Sequence, residues 1–270
     1  MYYIFFYVFC ILMIYYKINK GKLIYQNNAM MIINNGKKKS IKILTYNIKS
    51  MPHILSRNYE KIKDLILKYD VLCLQENFST LLGTNKKCYG YNCIIPEGSY
   101  GKMIDSGLSV YSKYNIEYID FIRFDNLASI DKLSDKGFII FKIDDLYIIN
   151  LHLQAIYSKD DDNKKITKKQ LDQVINYCNN LNKVLICGDF NICLSNLNIP
   201  GYNKIISNIP THWSILDGIM DTSSKYKKND NFIPFYLDGG FYKNIKVKNI
   251  QIQDEIDNTD HLGVSFEIIL

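Results

Sequence analysis

The chain has 270 residues, of which 47% are hydrophobic and 22% charged, and a formal net charge of +6. This length and balance suffice for one substantial core, and no repeat or long linker requires a second domain. Apart from short lysine groups before residue 40, the positive charge is diffuse, which argues against a dedicated nucleic-acid surface. Seven scattered cysteines predict neither a disulfide framework nor a zinc site, although Cys88 and Cys93 are spaced to pair in an oxidising compartment.

Residues 1–22 are expected to stand apart from the folded domain. Residues 1–16 contain no charged side chain, and three lysines follow closely. A helix of that length spans about 24 Å, less than the roughly 30 Å hydrocarbon layer, so a short tilted anchor and a signal-peptide core both fit. We favour an uncleaved membrane anchor, because no small-residue cleavage pattern follows. A cleaved signal would instead give a secreted protein, and a buried structural helix is the third alternative.

The first predicted elements alternate between strand and helix. Residues 23–40 are polar and rich in Asn and Lys, which predicts a linker to a domain spanning residues 41–270. The next apolar run predicts a strand ending at Asn47, and apolar residues at helical spacing then predict an amphipathic helix over about residues 54–69. A strand over residues 71–75 follows. This β-α-β order indicates a parallel or mixed sheet with a crossover helix.

The second half of the chain predicts further strands and one more helix. A glycine-rich stretch after Glu76 predicts loops that carry specificity. Turn residues then separate short apolar runs, and a cleanly alternating segment closes the chain. The predicted strands cover residues 107–112, 116–124, 137–143, 147–151, 184–188 and 262–268, and the predicted helix covers residues 166–181. Two sheets, each covered by helices, would account for this order.

Polar side chains stand at the ends of several predicted strands, where they would meet at one edge. The residues concerned are Asn47, Glu76, His152, Asp189 and Asn191, joined by Asp260 and His261 near the C-terminus. Each alone is more often a turn residue, a helix cap or a satisfied polar group, but the combination favours catalysis. Carboxylates and amides suit Mg²⁺ rather than zinc, with Mn²⁺ or Co²⁺ able to substitute. A phosphate ester is a natural substrate, because the cation would neutralise its oxygens while a histidine deprotonates a water.

Four motifs resemble the endonuclease/exonuclease/phosphatase superfamily. They are Thr45–Asn47, Leu74–Glu76, Gly188–Asn191 and Thr259–His261, in the order and approximate spacing of that family. Within it the neutral sphingomyelinases are most similar, because the segments Asp131–Phe138 and Leu151–Ala155 resemble segments of those enzymes. The resemblance covers about residues 41–270. It implies an α/β fold, a deoxyribonuclease-like four-layer α/β/β/α sandwich of two mixed sheets flanked by helices.

The resemblance also implies how the site is divided between metal binding and proton transfer. Glu76 would be the main metal ligand, with Asn47 beside it and Asp260 near the metal and the attacking water. His261 would be the general base, oriented by Asp238. The sequence departs from the family pattern after Asp238, because two glycines stand where bulky apolar residues are common.

The remaining matched residues are expected to contact the substrate. Asp189 would position the nucleophile or assist proton transfer, and Asn191 would hold a phosphate oxygen. His152 would protonate the leaving group or bind the phosphate, and Lys136 would bind substrate. His53 and His212 have no motif support and are interpreted as structural.

Together these features predict a Mg²⁺-dependent phosphodiesterase of the sphingomyelinase type, which hydrolyses a phospholipid head-group phosphodiester at a membrane surface by in-line attack of water. The alternative keeps the fold but takes nucleic acid, as deoxyribonuclease-like or abasic-site endonucleases do, or an inositol phosphate. A membrane-tethered binding module without activity is disfavoured, because every expected catalytic residue type is present. No obligate protein partner is implied.

Overall fold

The computed structural model describes most of the predicted catalytic domain. The described residues are 23–26, 40–50, 59–78, 88–96, 102, 104–156, 161–215 and 223–269. The expectations for residues 1–22 and for His53 lie outside them, as does most of the predicted linker.

Sixteen strands and two α-helices make up the described chain. In chain order the strands are β1 (Ile24–Gln26), β2 (Ser40–Ser50), β3 (Val71–Asn77), β4 (Asn92–Ile95), β5 (Ser109–Ser112), β6 (Glu117–Arg123), β7 (Gly137–Ile143), β8 (Leu146–His152), β9 (Lys183–Asp189), β10 (Asn203–Ile205), β11 (His212–Ser214), β12 (Ser223–Ser224), β13 (Ile233–Phe235), β14 (Asp238–Lys243), β15 (Lys246–Gln253) and β16 (Gly263–Ile269). The helices are α1 (Tyr59–Lys68) and α2 (Asp161–Cys178), and short 3-10 turns span Ser129–Leu133 and Leu194–Asn196.

The strands form two large mixed sheets and one small sheet. The first sheet has the order β1-β4-β5-β3-β2-β16-β15 and the second the order β10-β14-β9-β8-β7-β6. Each contains one parallel pair, β2 with β3 and β8 with β9, and α1 and α2 are the crossovers within these pairs. Strands β12, β11 and β13 form the small antiparallel sheet.

The cores show that the molecule has four layers. Because side chains alternate along β2, Ile43 enters the core between the two sheets while Leu44 faces the helix α1. Apolar residues of α1 pack on the outer face of the first sheet, and those of α2 on the outer face of the second. The predicted α/β/β/α sandwich is therefore confirmed.

The structure differs from the sequence prediction at the start of the domain. Ile24–Gln26, within the predicted linker, form the edge strand that pairs with β4. Tyr25 also donates a hydrogen bond to the carbonyl of Ile116, at 2.7 Å. Three residues are too few to show a hydrophobic periodicity among the polar residues around them. The strand is defined only by its pairing with β4, far along the chain.

The cysteines divide as their sequence contexts suggest. Cys88 and Cys93 are joined by a disulfide, a pairing that the sequence left open. Cys73 and Cys187, which we interpreted as small core hydrophobes, are buried in the core between the sheets. In the part of the chain that the structure describes, none of the helices is both long and apolar enough to cross a membrane.

Candidate metal and catalytic site

The predicted site residues converge where the parallel strands of both sheets end. Asn47 and Glu76 stand near the ends of β2 and β3, and His152 and Asp189 are the last residues of β8 and β9. The Asn47 Nδ2 group donates to Glu76 Oε1 at 3.0 Å and to Asp189 Oδ2 at 2.9 Å. One amide therefore joins carboxylates from the two sheets, and the expected convergence of Glu76 and Asp189 is present.

The backbone is unusual at three positions around these groups. Glu76, Asn191 and Lys49 have φ values of 51°, 49° and 43°, in the left-handed region that side-chain-bearing residues seldom adopt. The β2–β3 pairing also shifts register between Asn47 and Ser50. Such conformations cost roughly 1–3 kcal/mol each and persist where surrounding contacts hold them, often at functional sites.

The environment of Glu76 fits a hard divalent cation. Its side chain is buried, and Oε2 has no hydrogen-bond partner among the described residues. Burial raises the pKa of Glu76 and that of Asp189, because a desolvated carboxylate disfavours its charged form. A cation bound here would remove that penalty and use the unpaired oxygen, and oxygen donors are what Mg²⁺ prefers.

Asp189 is held at both carboxylate oxygens. Oδ2 accepts from Asn47, and Oδ1 accepts from the backbone N–H of Asn191 at 2.9 Å. The Asn191 side chain in turn donates to the carbonyl of Leu153 at 3.1 Å. Asp189 is therefore locked in one orientation beside Glu76.

His261 forms a buried dyad with Asp238, as the resemblance implied. Its Nδ1 lies 2.8 Å from Asp238 Oδ2, and its Nε2 lies 3.8 Å from Asp189 Oδ2. Thr211 Oγ1 accepts from the Asp238 backbone N–H, and Thr259 Oγ1 accepts from the His261 backbone N–H. Burial lowers the pKa of His261, but the carboxylates of Asp238 and Asp189 outweigh burial and hold it well above the ordinary value.

The close approach of neighbouring strands explains why two glycines follow Asp238, where the family pattern has bulky apolar residues. A Cβ on Gly239 would lie 2.3 Å from the carbonyl oxygen of Ile205, and one on Gly240 would lie 2.2 Å from that of Ile186. Strand β14 therefore approaches both neighbouring strands too closely for any side chain at these positions. The glycine pair allows this spacing and leaves Asp238 paired opposite Asp189.

His152 and Lys136 approach the same carboxylates from the other side. His152 Nε2 lies 3.5 Å from Asp189 Oδ2, 3.9 Å from Glu76 Oε1 and 3.3 Å from Lys136 Nζ. Lys136 also donates to the Leu153 carbonyl and pairs with Asp131, both at 3.0 Å. Burial, followed by the charges of Lys136 and His261, lowers the pKa of His152 well below its ordinary value, so this imidazole is neutral.

Asp260 lies on the His261 side of the site. Its Oδ1 is 4.0 Å from His261 Nε2, and its Oδ2 is 2.8 Å from the ammonium of Lys49. Although burial opposes it, the charges of His261 and Lys49 lower the pKa of Asp260. All the residues that the sequence singled out therefore lie in one connected cluster.

The sequence did not predict the positions of two residues of the cluster, His212, which we interpreted as structural, and Lys49. His212 is buried with its ring centroid 4.7 Å from that of His261, and its Nδ1 lies 3.2 Å from the carbonyl oxygen of Asp260. Its three-residue strand carries no periodic pattern that could have placed it there. Lys49 stands two residues after Asn47, and this spacing was the only available sign of its position.

A cavity of about 270 Å³ opens beside Asn191. Apolar residues form much of its wall, including Ile192, Phe235 and Leu237, and Lys164 adds a cation. The site therefore has an adjoining space that could receive part of a substrate.

The sequence model of the Endonuclease/Exonuclease/phosphatase family matches residues 44–214, more than half of the chain. The chain belongs to this family, and the resemblance seen in its motifs is confirmed. Family and site together define a hydrolase of the phosphodiester type.

The chain is similar to one curated protein in sequence and to several solved structures in fold. A sphingomyelinase of Dictyostelium discoideum is 30% identical over 155 residues, which cover 47% of this chain and 34% of that protein. The matched part of the chain thus spans only about a third of this curated relative. Humanized D. rerio TDP2 superimposes with a TM-score of 0.61 at 14% identity, covering 86% of this chain and all of that one. A Staphylococcus aureus beta toxin variant with bound magnesium ions superimposes with a TM-score of 0.54 at 17% identity, covering 84% and 99%. Because their identity is low, the two solved structures establish the fold alone.

Proposed function

We propose that this protein is a Mg²⁺-dependent phosphodiesterase of the sphingomyelinase type, which hydrolyses the head-group phosphodiester of a phospholipid. One observation carries the proposal. The two segments that resemble sphingomyelinases meet at the candidate cation site, with Lys136 Nζ 3.3 Å from His152 Nε2 and His152 3.5 Å from Asp189. The identity to the Dictyostelium sphingomyelinase supports the same assignment.

His261 is the proposed general base. Asp238 accepts the hydrogen bond of Nδ1 and leaves Nε2 directed at the region beside Asp189, where a water would be deprotonated. The carboxylate of Asp189 helps to raise the pKa of His261. Neutralisation of this carboxylate by a bound cation would lower that pKa toward the range in which His261 can accept a proton from water. A divalent cation, when bound, would stabilise charge on the phosphate and on the leaving oxygen.

His152, Lys136 and Asn191 are proposed to hold the phosphate on the opposite side. A neutral His152 can donate a hydrogen bond to a phosphate oxygen and places no positive charge beside the bound cation. The Lys136 ammonium supplies a fixed buried charge beside it. The carbonyl of Leu153, which both Lys136 and Asn191 contact, keeps these two side chains together.

A nucleic-acid phosphodiester is the second candidate, because the fold that this chain shares with TDP2 does not by itself select a lipid substrate. A nuclease that grips a duplex needs a concentrated basic face. The charge of this chain is diffuse, which supports the lipid substrate instead.

One assay panel separates the two substrates. We expect the purified full-length protein with Mg²⁺ to release phosphocholine from sphingomyelin, and expect Glu76→Gln to lose this activity with partial recovery at raised Mg²⁺. Phosphatidylcholine, phosphoinositides and plasmid DNA are assayed separately as alternative substrates. Plasmid nicking that disappears in Asp189→Ala, without lipid turnover by the unaltered protein, would establish the nuclease instead.

We also propose that residues 1–22 hold the enzyme at the membrane that contains its substrate. The uncharged apolar run followed by lysines supports this location. Flotation of the full-length protein with lipid vesicles, against a variant lacking residues 1–22, tests it. Equal flotation of both would exclude the anchor.

A further inference from the structure

We propose that Lys49 is a built-in cation of this site, which occupies the place of a second divalent ion and limits the site to a single one held by Glu76. The inference rests on the proposed cation dependence, but not on the identity of the substrate. It concerns a residue for which the family motifs predict no role.

Lys49 engages two of the three predicted metal ligands. Its backbone N–H donates to Asn47 Oδ1 at 3.1 Å, and its ammonium lies 2.8 Å from Asp260 Oδ2. The oxygen of Asn47 therefore faces the Lys49 backbone, and its nitrogen faces the carboxylates of Glu76 and Asp189. Among the three predicted ligands, Glu76 retains the oxygen that has no described hydrogen-bond partner.

The backbone around Lys49 holds this arrangement in place. The residue adopts the left-handed region at φ 43°, where β2 shifts its register against β3. A regular strand would place residues 47 and 49 on one face with side chains directed alike. Because of the irregularity, the Lys49 backbone N–H instead donates to Asn47, and the Lys49 side chain points to Asp260.

The charge of Asp260 is already compensated by Lys49. Their charged groups lie 2.8 Å apart, whereas Glu76 Oε1 accepts a hydrogen bond from the uncharged amide of Asn47. A second ion at Asp260 would have to displace the Lys49 ammonium or lie against it.

The ammonium of Lys49 lies where it can interact with the substrate. Its side chain is 30% exposed while that of Asp260 is only 10% exposed, so the cation lies at the open side of the pair. An anionic phosphate approaching His261 and Asp260 would meet this charge. Lys49 would then supply electrostatic stabilisation there without needing a dissociable metal.

Mn²⁺ titration of the metal-free full-length protein in detergent tests the proposal. We expect isothermal calorimetry and electron paramagnetic resonance to give one bound Mn²⁺ per chain in the unaltered protein. Lys49→Met should bind two, because Asp260 is released to accept an ion. Lys49→Arg, which keeps the charge, should bind one.

Three further variants make the result decisive. Lys142→Met removes a lysine paired with Glu117 at the other end of strand β7 and should still bind one ion. Glu76→Gln should weaken the single site of the unaltered protein. Lys49→Gln provides a second neutral variant if circular dichroism shows that Lys49→Met does not fold.

The role of Lys49 would be overturned if the unaltered protein bound two ions, or if both neutral Lys49 variants bound only one. Neither result would contradict the proposed cation dependence. An unaltered protein that binds no Mn²⁺ would overturn the proposed cation dependence together with this inference. Because no lipid enters the titration, failure of the sphingomyelin assay leaves its outcome unaffected.

Discussion

His261 and Asp238 are 23 residues apart in sequence, yet their side chains form a buried pair 2.8 Å apart. Each partner is fixed further by a threonine hydroxyl, Thr259 for His261 and Thr211 for Asp238. The imidazole therefore has one orientation, with Nε2 directed toward Asp189. A general base requires this fixed geometry before its pKa becomes relevant.

Removing this base should strongly reduce catalysis. We expect His261→Ala to lower kcat by at least roughly 10²-fold, the scale of a lost general base. Steady-state turnover of the substrate that the assay panel identifies measures the effect. The matched control is the buried Asn92→Ala in β4, a polar truncation outside the site, which should retain far more activity. Near-normal turnover in His261→Ala would show that another group is the base.

His212 should make stability depend on pH. Burial, with the charge of His261 as the next cause, lowers its pKa from 6.5 to about 4. Between these values the unfolded chain binds a proton that the folded protein does not, so this histidine costs stability as pH falls. The unfolding free energy is therefore free of this cost above pH 6.5 and decreases as the pH falls from 6.5 toward 4.

Replacing His212 should therefore reduce acid sensitivity. Between pH 7 and pH 5 we expect the unaltered protein to lose about 2 kcal/mol more unfolding free energy than His212→Asn. Urea unfolding of both proteins at the two pH values measures the difference. Parallel losses would mean that His212 is not held neutral.

At the scale of elements, strand β14 connects stability with the site because it carries Asp238 between β9 and β10. Its glycine pair allows a spacing that no side chain tolerates, since a Cβ at Gly240 would overlap the carbonyl oxygen of Ile186. The sequence showed this pair only as a departure from the family pattern. Its reason became visible only with three strands side by side.

A methyl group at this position should destabilise the protein. We expect Gly240→Ala to cost roughly 1–3 kcal/mol of unfolding free energy, the range for overpacking, and to lower turnover by displacing Asp238. Gly201→Ala is the control, because a Cβ there has no neighbour within 4 Å and only its φ of 81° opposes the change. Denaturant unfolding compares them. Equal losses would show that strand spacing is not the constraint.

At the scale of the whole molecule, a buried polar network joins the two sheets behind the site. Gln75 Nε2 donates to Asn150 Oδ1 at 2.7 Å, and Asn150 Nδ2 donates to the carbonyls of Leu74 and Ser109. Gln75 precedes Glu76, and Asn150 lies two residues before His152. The network therefore sets the separation of the sheets where the site residues emerge.

Breaking this network should cost more than breaking a similar one at the surface. We expect Asn150→Leu to reduce the unfolding free energy by roughly 3 kcal/mol, because it leaves buried partners unsatisfied. Gln173→Leu removes a half-buried side chain at the surface that also makes two hydrogen bonds to backbone and should cost less than about 1 kcal/mol. Urea unfolding at constant pH compares the two. A small loss in Asn150→Leu would mean that apolar packing alone aligns the sheets.

The sequence by itself determined the elements with strong periods, the layered α/β class and the family. It also identified each motif residue of the site, because apolar runs that stop at a carboxylate, amide or imidazole remain visible locally. Roles such as the partnership of Asp238 with His261 came from the resemblance, and their contacts came from the structure.

Only the tertiary structure decided how the electrostatics of the cluster are arranged. Lys49, His212 and the edge strand Ile24–Gln26 acquire their places through partners far along the chain, such as Asp260, His261 and β4. No local pattern encodes such contacts. Charge compensation and burial depend on distances in space, and those distances exist only after both sheets have packed against each other.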